Sequence, residues 1–147
     1  AKKQIRIILA DDDPDDRDLF SEAIAQHAHV LLETAADGSE LMKLLGNGTV
    51  PDIVFLDLNM PGKNGKKCLE EIRGNKKLAH IQVVIYSTST SSKDIDDTFA
   101  MGANLYIRKP NSFKELTELI KKVFAIDWDD HKPKTHKQKF LFSSKSH

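Results

Sequence analysis

Cysteine is nearly absent from this chain. Cys68 stands alone among 147 residues, which excludes an internal disulfide and a metal site built on several thiolates. Net charge is missing as well: 22 lysines and arginines face 22 acids, so the overall balance points neither to nucleic acid nor to a membrane surface. No apolar stretch is long enough to cross a bilayer. No basic segment followed by an apolar run marks a signal peptide, and the expected location is the cytoplasm. A glycine-rich turn after the first apolar run, which a dinucleotide or P-loop site requires, is lacking too. Asp11-Asp12-Asp13-Pro14 stands there instead and would repel phosphates.

What is present is ordinary for a globular protein: 39% hydrophobic and 30% charged residues, in a chain long enough to bury a core. The charge is unevenly placed. Residues 131–147 carry Lys132, Lys134, Lys137, Lys139 and Lys145 and no acid, leaving the remainder acidic. The reading is of one domain over residues 1–126 and a basic C-terminal tail over 127–147, with no separate effector domain. Trp128 is expected to pack over the end of the last helix. His131, His136 and His147 have no metal-binding spacing. The apolar island Phe140-Leu141-Phe142 belongs either to a loosely attached tail or to an element that docks on a partner or a second copy of the chain.

Short apolar runs alternate with longer amphipathic segments. Ile5–Ala10, Val30–Ala35, Ile53–Leu56, Val83–Tyr86 and Leu105–Ile107 are rich in Val, Ile, Leu and aromatics. Continuous rather than alternating runs fit strands covered on both faces, as in a parallel sheet. Between them lie helices. Asp13 before Pro14 is a capping start, and Leu19, Phe20, Ala23 and Ile24 form a stripe. A second helix starts near Gly38 and ends at Gly46. A third covers Gly65 to Arg73, with Cys68, Leu69 and Ile72 inward. A fourth runs from Ser91–Ser92 to near Gly102. A fifth opens on the capping box Ser112 to Glu115 and carries Leu116, Leu119, Ile120, Val123 and Phe124 at helical period. Five β-α units predict a doubly wound α/β fold whose ligands bind beyond the carboxyl ends of the strands.

Those ends carry the chemistry. Asp11, Asp12 and Asp13 follow the first strand, Asp57 the third, Ser87, Thr88 and Ser89 the fourth, and Lys109 the fifth. Each alone has a plain explanation: helix capping, a turn, a solvated lysine. Their coincidence at one edge does not. Gathered carboxylates repel unless a cation joins them, and hard oxygens with open water positions suit Mg²⁺, with Mn²⁺ as a substitute. Asp12 and Asp57 are the best ligand candidates. A carboxylate can also attack phosphorus to form an acyl phosphate, with a lysine amine and a short hydroxyl holding the remaining oxygens.

At this point the sequence resembles the receiver domains of bacterial response regulators, of the CheY-like type. The resemblance spans about residues 4–126. It rests on the Ile-Leu-Ala-Asp11-Asp12-Asp13-Pro start, on Phe-Leu-Asp57-Leu-Asn-Met-Pro-Gly, on Val-Ile-Tyr-Ser87-Thr-Ser and on Leu-Tyr106-Ile-Arg-Lys109-Pro110. It implies a five-stranded parallel sheet of order 2-1-3-4-5 with five helices. Asp57 would be the phosphoryl acceptor, in a reaction that needs Mg²⁺. Asp12, Asp57 and the Asn59 backbone carbonyl would bind the metal, and Asp11 would hold its waters. Ser87 would be the switch hydroxyl and Tyr106 the aromatic that turns inward when Ser87 moves. Lys109 would pair with a phosphoryl oxygen, its bond to Pro110 cis. The donor would be a sensor histidine kinase or a histidine phosphotransfer protein. The α4-β5-α5 face would change for partner binding or dimerisation, with no nucleic acid or membrane contact by this chain. The Pro-Asp15-Asp16 start resembles a stand-alone subgroup whose members include phytochrome-associated regulators. Two departures are Gln82, where many relatives have proline, and Ser87, where many have threonine.

Two other functions stay in view: a phosphorelay intermediate, and an interaction module that works without phosphorylation. A hydrolase of the aspartate-nucleophile kind would need a second acid two residues after Asp57, where Asn59 stands. On this reading the chain is a regulatory phosphoacceptor rather than an enzyme, catalysing only its own phosphorylation and slow dephosphorylation.

Overall fold

Uninterrupted apolar runs can be buried on both faces only in the middle of a layered fold, and four of the five lie there; Val30–Ala35 is instead an edge strand whose Leu31, Glu33 and Thr34 are exposed. The computed structural model describes residues 4–48, 50–126, 128 and 140–143; His131, His136, His147 and the tail lysines lie outside them. The strands are β1 (Ile5–Ala10), β2 (Val30–Ala35), β3 (Ile53–Leu56), β4 (Gln82–Ser87) and β5 (Leu105–Arg108). They alternate with α1 (Pro14–Ile24), α2 (Gly38–Leu45), α3 (Gly65–Gly74), α4 (Ser92–Ala100) and α5 (Phe113–Phe124). All strand pairs are parallel. The sheet order is β2-β1-β3-β4-β5, extended at the β5 edge by a sixth strand, β6 (Leu141–Phe142).

Local sequence explains the helix starts. Asp13, Asp37, Asn64, Ser91 and Ser112 each place a side-chain oxygen on a backbone N–H of the first turn, satisfying donors that the helix itself cannot. The helices then cover the sheet in two layers. Leu41, Leu45, Cys68, Leu69 and Ile72 pack one face through α2 and α3, with Phe99 of α4 beside them. Phe20, Ala23, Leu116, Leu119, Ile120 and Val123 pack the other through α1 and α5, and Trp128 adds to this side as expected. Cys68 is fully buried, and burial pushes its thiol up to about 11, so it acts as a packing residue rather than a nucleophile. On the first face Arg73 ties α3 to the sheet. Its guanidinium donates to the carbonyls of Gly102, Ala79 and Ile81 and to Asn104 Oδ1 at 2.8–3.0 Å.

The apolar island of the tail packs back on its own domain. Without it β5 would be an exposed edge, its N–H and C=O groups unpaired. Leu141 and Phe142 instead register against Tyr106 and Ile107. Phe140 is 2% exposed, with its ring 5.2 Å from Phe99 and 6.0 Å from Tyr106. A Phe-to-Ala cavity costs about 3–5 kcal/mol when the site cannot collapse. A two-residue strand, however, can detach alone before the core unfolds. Phe140→Ala is therefore expected to leave the global unfolding midpoint nearly unchanged while a protease releases the tail about tenfold faster. An equal drop in global stability would mean that the tail and the core unfold as one unit.

Candidate functional site

Strand order reverses between β1 and β3, and that crevice gathers the predicted residues. Asp57 N–H donates to the Ala10 carbonyl (3.0 Å) and Asp11 N–H to the Ala35 carbonyl (3.0 Å), so both acids are fixed by continuation of the ladder. Asp11 is fully buried and Asp57 is 4% exposed; Asp12 is exposed. Gly65 lets α3 start close beside Asp57, because a Cβ there would collide with the Asp57 carbonyl oxygen. Ser87 ends β4 fully buried, its hydroxyl accepting from the Ser89 N–H at 3.2 Å. Lys109 N–H donates to the Ser87 carbonyl (2.9 Å), which directs the lysine back over the crevice.

The Lys109 ammonium lies 2.8 Å from Asp11 Oδ2, 2.8 Å from Asp16 Oδ2 and 3.4 Å from Asp57 Oδ2. Its approach to the Tyr86 ring, 5.6 Å from the centroid, adds a weaker attraction. One cation thus serves three carboxylates, with Asp12 alongside. Burial, only partly offset by Lys109, pushes Asp57 up to about 6; burial raises Asp11 as well, against the pull of Lys109. For Lys109, burial works against the charge, yet contacts with Asp11 and Asp16 hold it above its ordinary value. Carboxylate oxygens of Asp11, Asp12 and Asp57 come within 4.8 Å of one another. This is a hard-oxygen donor set that fits a divalent cation such as Mg²⁺ or Mn²⁺. The Asn59 N–H is spent on Asp57 Oδ1 at 3.3 Å.

The structure brings together Asp11, Asp12, Asp57 and Lys109, sets Ser87 at the end of the neighbouring strand, and buries Tyr106 at 1% exposure. Tyr106 is turned inward, its hydroxyl donating to the Ser89 carbonyl at 2.9 Å, with Phe140 against its ring. The expected cis bond is corrected: the described peptide bonds are trans, Lys109–Pro110 included. Trans is the lower-energy form of an X–Pro bond, and in it the lysine already reaches all three acids. Sequence reading missed Asp16 as a site residue. Its spacing from Pro14 places it in the first turn of α1, and only the fold turns that face toward Lys109.

The acid cluster lies at the switch point of a doubly wound α/β sheet, beside a lysine that directly follows the fifth strand. The chain belongs to the response regulator receiver domain family, which it matches over residues 7–121, the receivers of bacterial two-component systems. It is similar to the response regulator Rcp1 of Synechocystis sp., with 28% identity over 78% of this chain and 82% of the relative. Among solved structures it resembles the phosphorylated cyanobacterial phytochrome response regulator RcpA, at a TM-score of 0.77 and 33% identity, covering 82% of this chain and 91% of that one. The Mn²⁺-bound form of Rcp1 follows at 0.76 and 27%, covering 90% of this chain and 96% of that one. Receiver domains are regulatory and are phosphorylated by histidine kinases. No helix among the described residues is long and apolar enough to cross a membrane.

Proposed function

We propose that this chain accepts a phosphoryl group on Asp57 from a phosphohistidine of a sensor kinase or phosphotransfer protein, with Mg²⁺ held by Asp12, Asp57 and the Asn59 carbonyl and, through water, by Asp11. The observation that carries this reading is the shared position of Asp11, Asp12 and Asp57 under a single lysine. Mg²⁺, when bound, neutralises phosphoryl oxygens during in-line transfer. An Asp57 carboxylate oxygen forms the new O–P bond as the donor's P–N bond breaks, and the departing imidazole nitrogen takes up a proton from solvent. With its carboxyl at about 6, Asp57 is an ionised nucleophile at neutral pH. Lys109 pairs with a phosphoryl oxygen, and the Ser87 hydroxyl is drawn toward the group.

The modification adds about −1.5 to −2 charges and three acceptor oxygens. Ser87 sits one strand from Tyr106, so its movement reaches the face formed by α4, β5 and α5, the two-state element of the switch. Phe140 and β6 already cover part of that face. A partner or a second copy therefore engages the parts left open, or displaces the tail. Service as a phosphorelay intermediate uses the same chemistry in reverse.

The test is intact mass after incubation with acetyl phosphate and Mg²⁺, with Asp57→Asn alongside. A phosphoryl-sized gain is expected in wild type only, and chelation should abolish it. A gain in the Asn variant would remove Asp57 as acceptor. No gain in either protein, with phosphoramidate and candidate kinases also failing, would favour a module that works without phosphorylation.

A further inference from the structure

Beside the acid cluster lies a cleft of about 440 Å³ lined by Leu58, Asn59, Met60, Asn64, Lys66 and Asp94. The last two form a contact that the phosphoryl-transfer reading leaves unused. Lys66, in the first turn of α3, places its ammonium 2.8 Å from Asp94 Oδ1 and 3.0 Å from Asp97 Oδ2, both on α4. The other oxygen of Asp94 accepts from the Ser89 hydroxyl at 2.5 Å. Ser89 then divides its backbone between the two switch residues. Its N–H donates to Ser87 Oγ at 3.2 Å, and its carbonyl accepts from the Tyr106 hydroxyl at 2.9 Å. A continuous line of contacts thus runs from the helix after Asp57, through α4, to Ser87 and Tyr106.

We infer that Lys66 and Asp94 are positioning residues of the switch: their ion pair clamps Ser89 and thereby holds the Ser87 hydroxyl on the loop amide. The inference rests on the reading of Asp57 as the phosphoacceptor. For Ser87 Oγ to approach a phosphoryl group on Asp57, its bond with the Ser89 N–H must be given up, and the segment between β4 and α4 must shift against α4. The Asp94–Ser89 hydrogen bond resists that shift. Asp94 in turn is held in place by Lys66 and the Ser89 hydroxyl, contacts that also lower its pKa and so favour its charged form. The pair is half-buried, at 28% and 25% side-chain exposure, so it is less screened than a surface ion pair. Lys93 pairs with Asp97 one turn away on α4 itself and is 79% exposed, which makes it the charge control: a lysine whose ion pair neither bridges α3 and α4 nor includes Asp94.

The experiment measures the rate of acyl phosphate formation from acetyl phosphate and Mg²⁺ in wild type, Lys66→Gln, Asp94→Asn, Ser89→Ala, the Lys66→Gln/Ser89→Ala double variant and Lys93→Gln. Lys66→Gln and Asp94→Asn are expected to react about three- to fivefold faster, the scale of losing one partly exposed ion pair. Lys93→Gln should match wild type. Lys66 and Ser89 do not touch, so their coupling is the diagnostic: once Ser89 has lost its hydroxyl, removing the Lys66 charge should add nothing further. A merely structural contribution would lower the melting temperature without producing that non-additivity. Asp94→Asn keeps the size of the side chain, so the comparison survives should Lys66→Gln fold poorly. Wild-type rates in the variants, slower rates, or fully additive effects would overturn the clamp while leaving Asp57 as acceptor. A wild-type protein that takes up no phosphoryl group would overturn both.

Discussion

Lys109→Met is expected to destabilise the protein by about 3–5 kcal/mol at pH 7, the cost of removing one partner from a buried charge cluster. Among the described residues, the amine is the cation paired with the carboxylates of Asp11 and Asp57, at 2.8 and 3.4 Å, and both acids are nearly inaccessible to water. Methionine keeps the length and apolar stem of lysine, so the change isolates charge from packing. The sign with pH follows from the acids. Lys109 lowers the pKa of both Asp11 and Asp57, so its removal raises both further. A carboxyl raised above its unfolded value of 3.8 contributes fully to stability below that pH. The contribution is lost as pH rises through the folded pKa. The deficit of the variant is thus largest at neutral pH and shrinks toward pH 4. Mg²⁺ should recover part of it by supplying counter-charge to the same oxygens. Urea unfolding at pH 7 and pH 4, with and without Mg²⁺, measures all three effects. A deficit independent of pH would mean that the loss is one of packing and that the amine does not compensate the acids.

Most of the fold was legible because its signals are local. Continuous runs such as Ile53–Leu56 are wholly buried in β3, and the Ser112-to-Glu115 box caps α5 as its spacing predicts, with Ser112 Oγ accepting from the Glu115 N–H. Strand boundaries shifted by a residue, as at Gln82 and Ser87 in β4, because a polar residue at a strand end costs nothing where the ladder still supplies its hydrogen bonds. The acid, hydroxyl and lysine positions were readable since each ends or directly follows a strand, and topology alone collects strand ends. Contacts across the fold were not readable. Arg73 looks like any charged residue near a helix end, yet the turn between α3 and β4 and the start of β5 converge on its guanidinium. Asp16 joins Lys109 across 93 positions of sequence. Phe140 reaches Tyr106 only because β5 offers an unpaired edge; its apolar character was visible, whereas its target depends on where the sheet stops.

Asp57→Asn tests the same cluster with the opposite sign. Lysine removal leaves acids without a cation, whereas removing one acid relieves an excess of them. With Asp57 pushed from 3.8 to about 6, the fold as a whole, Lys109 included, disfavours its charge by up to about 3 kcal/mol at neutral pH, at roughly 1.4 kcal/mol per pKa unit. Lys109 keeps its two shorter contacts, to Asp11 and Asp16 at 2.8 Å, so little is lost on its side. The Asn variant is therefore expected to be more stable than wild type in chelator at pH 7. Its advantage should fade as pH falls through about 6 and vanish below the unfolded carboxyl value, where the wild-type side chain is neutral too. Saturating Mg²⁺ should close or reverse the gap. Wild type gains about 2.7 kcal/mol at a hundredfold excess over its Kd, and the variant, with one anionic ligand fewer, gains less. A variant less stable than wild type in chelator at pH 7 would mean that Asp57 is well compensated in the folded protein. The expected order instead ties function to the energetics of the crevice. Four acids around one lysine leave a charge deficit that folding tolerates and that a divalent cation would fill. On the proposed function, Asp57 would then be an ionised acceptor held in place beside the strand whose end carries Ser87.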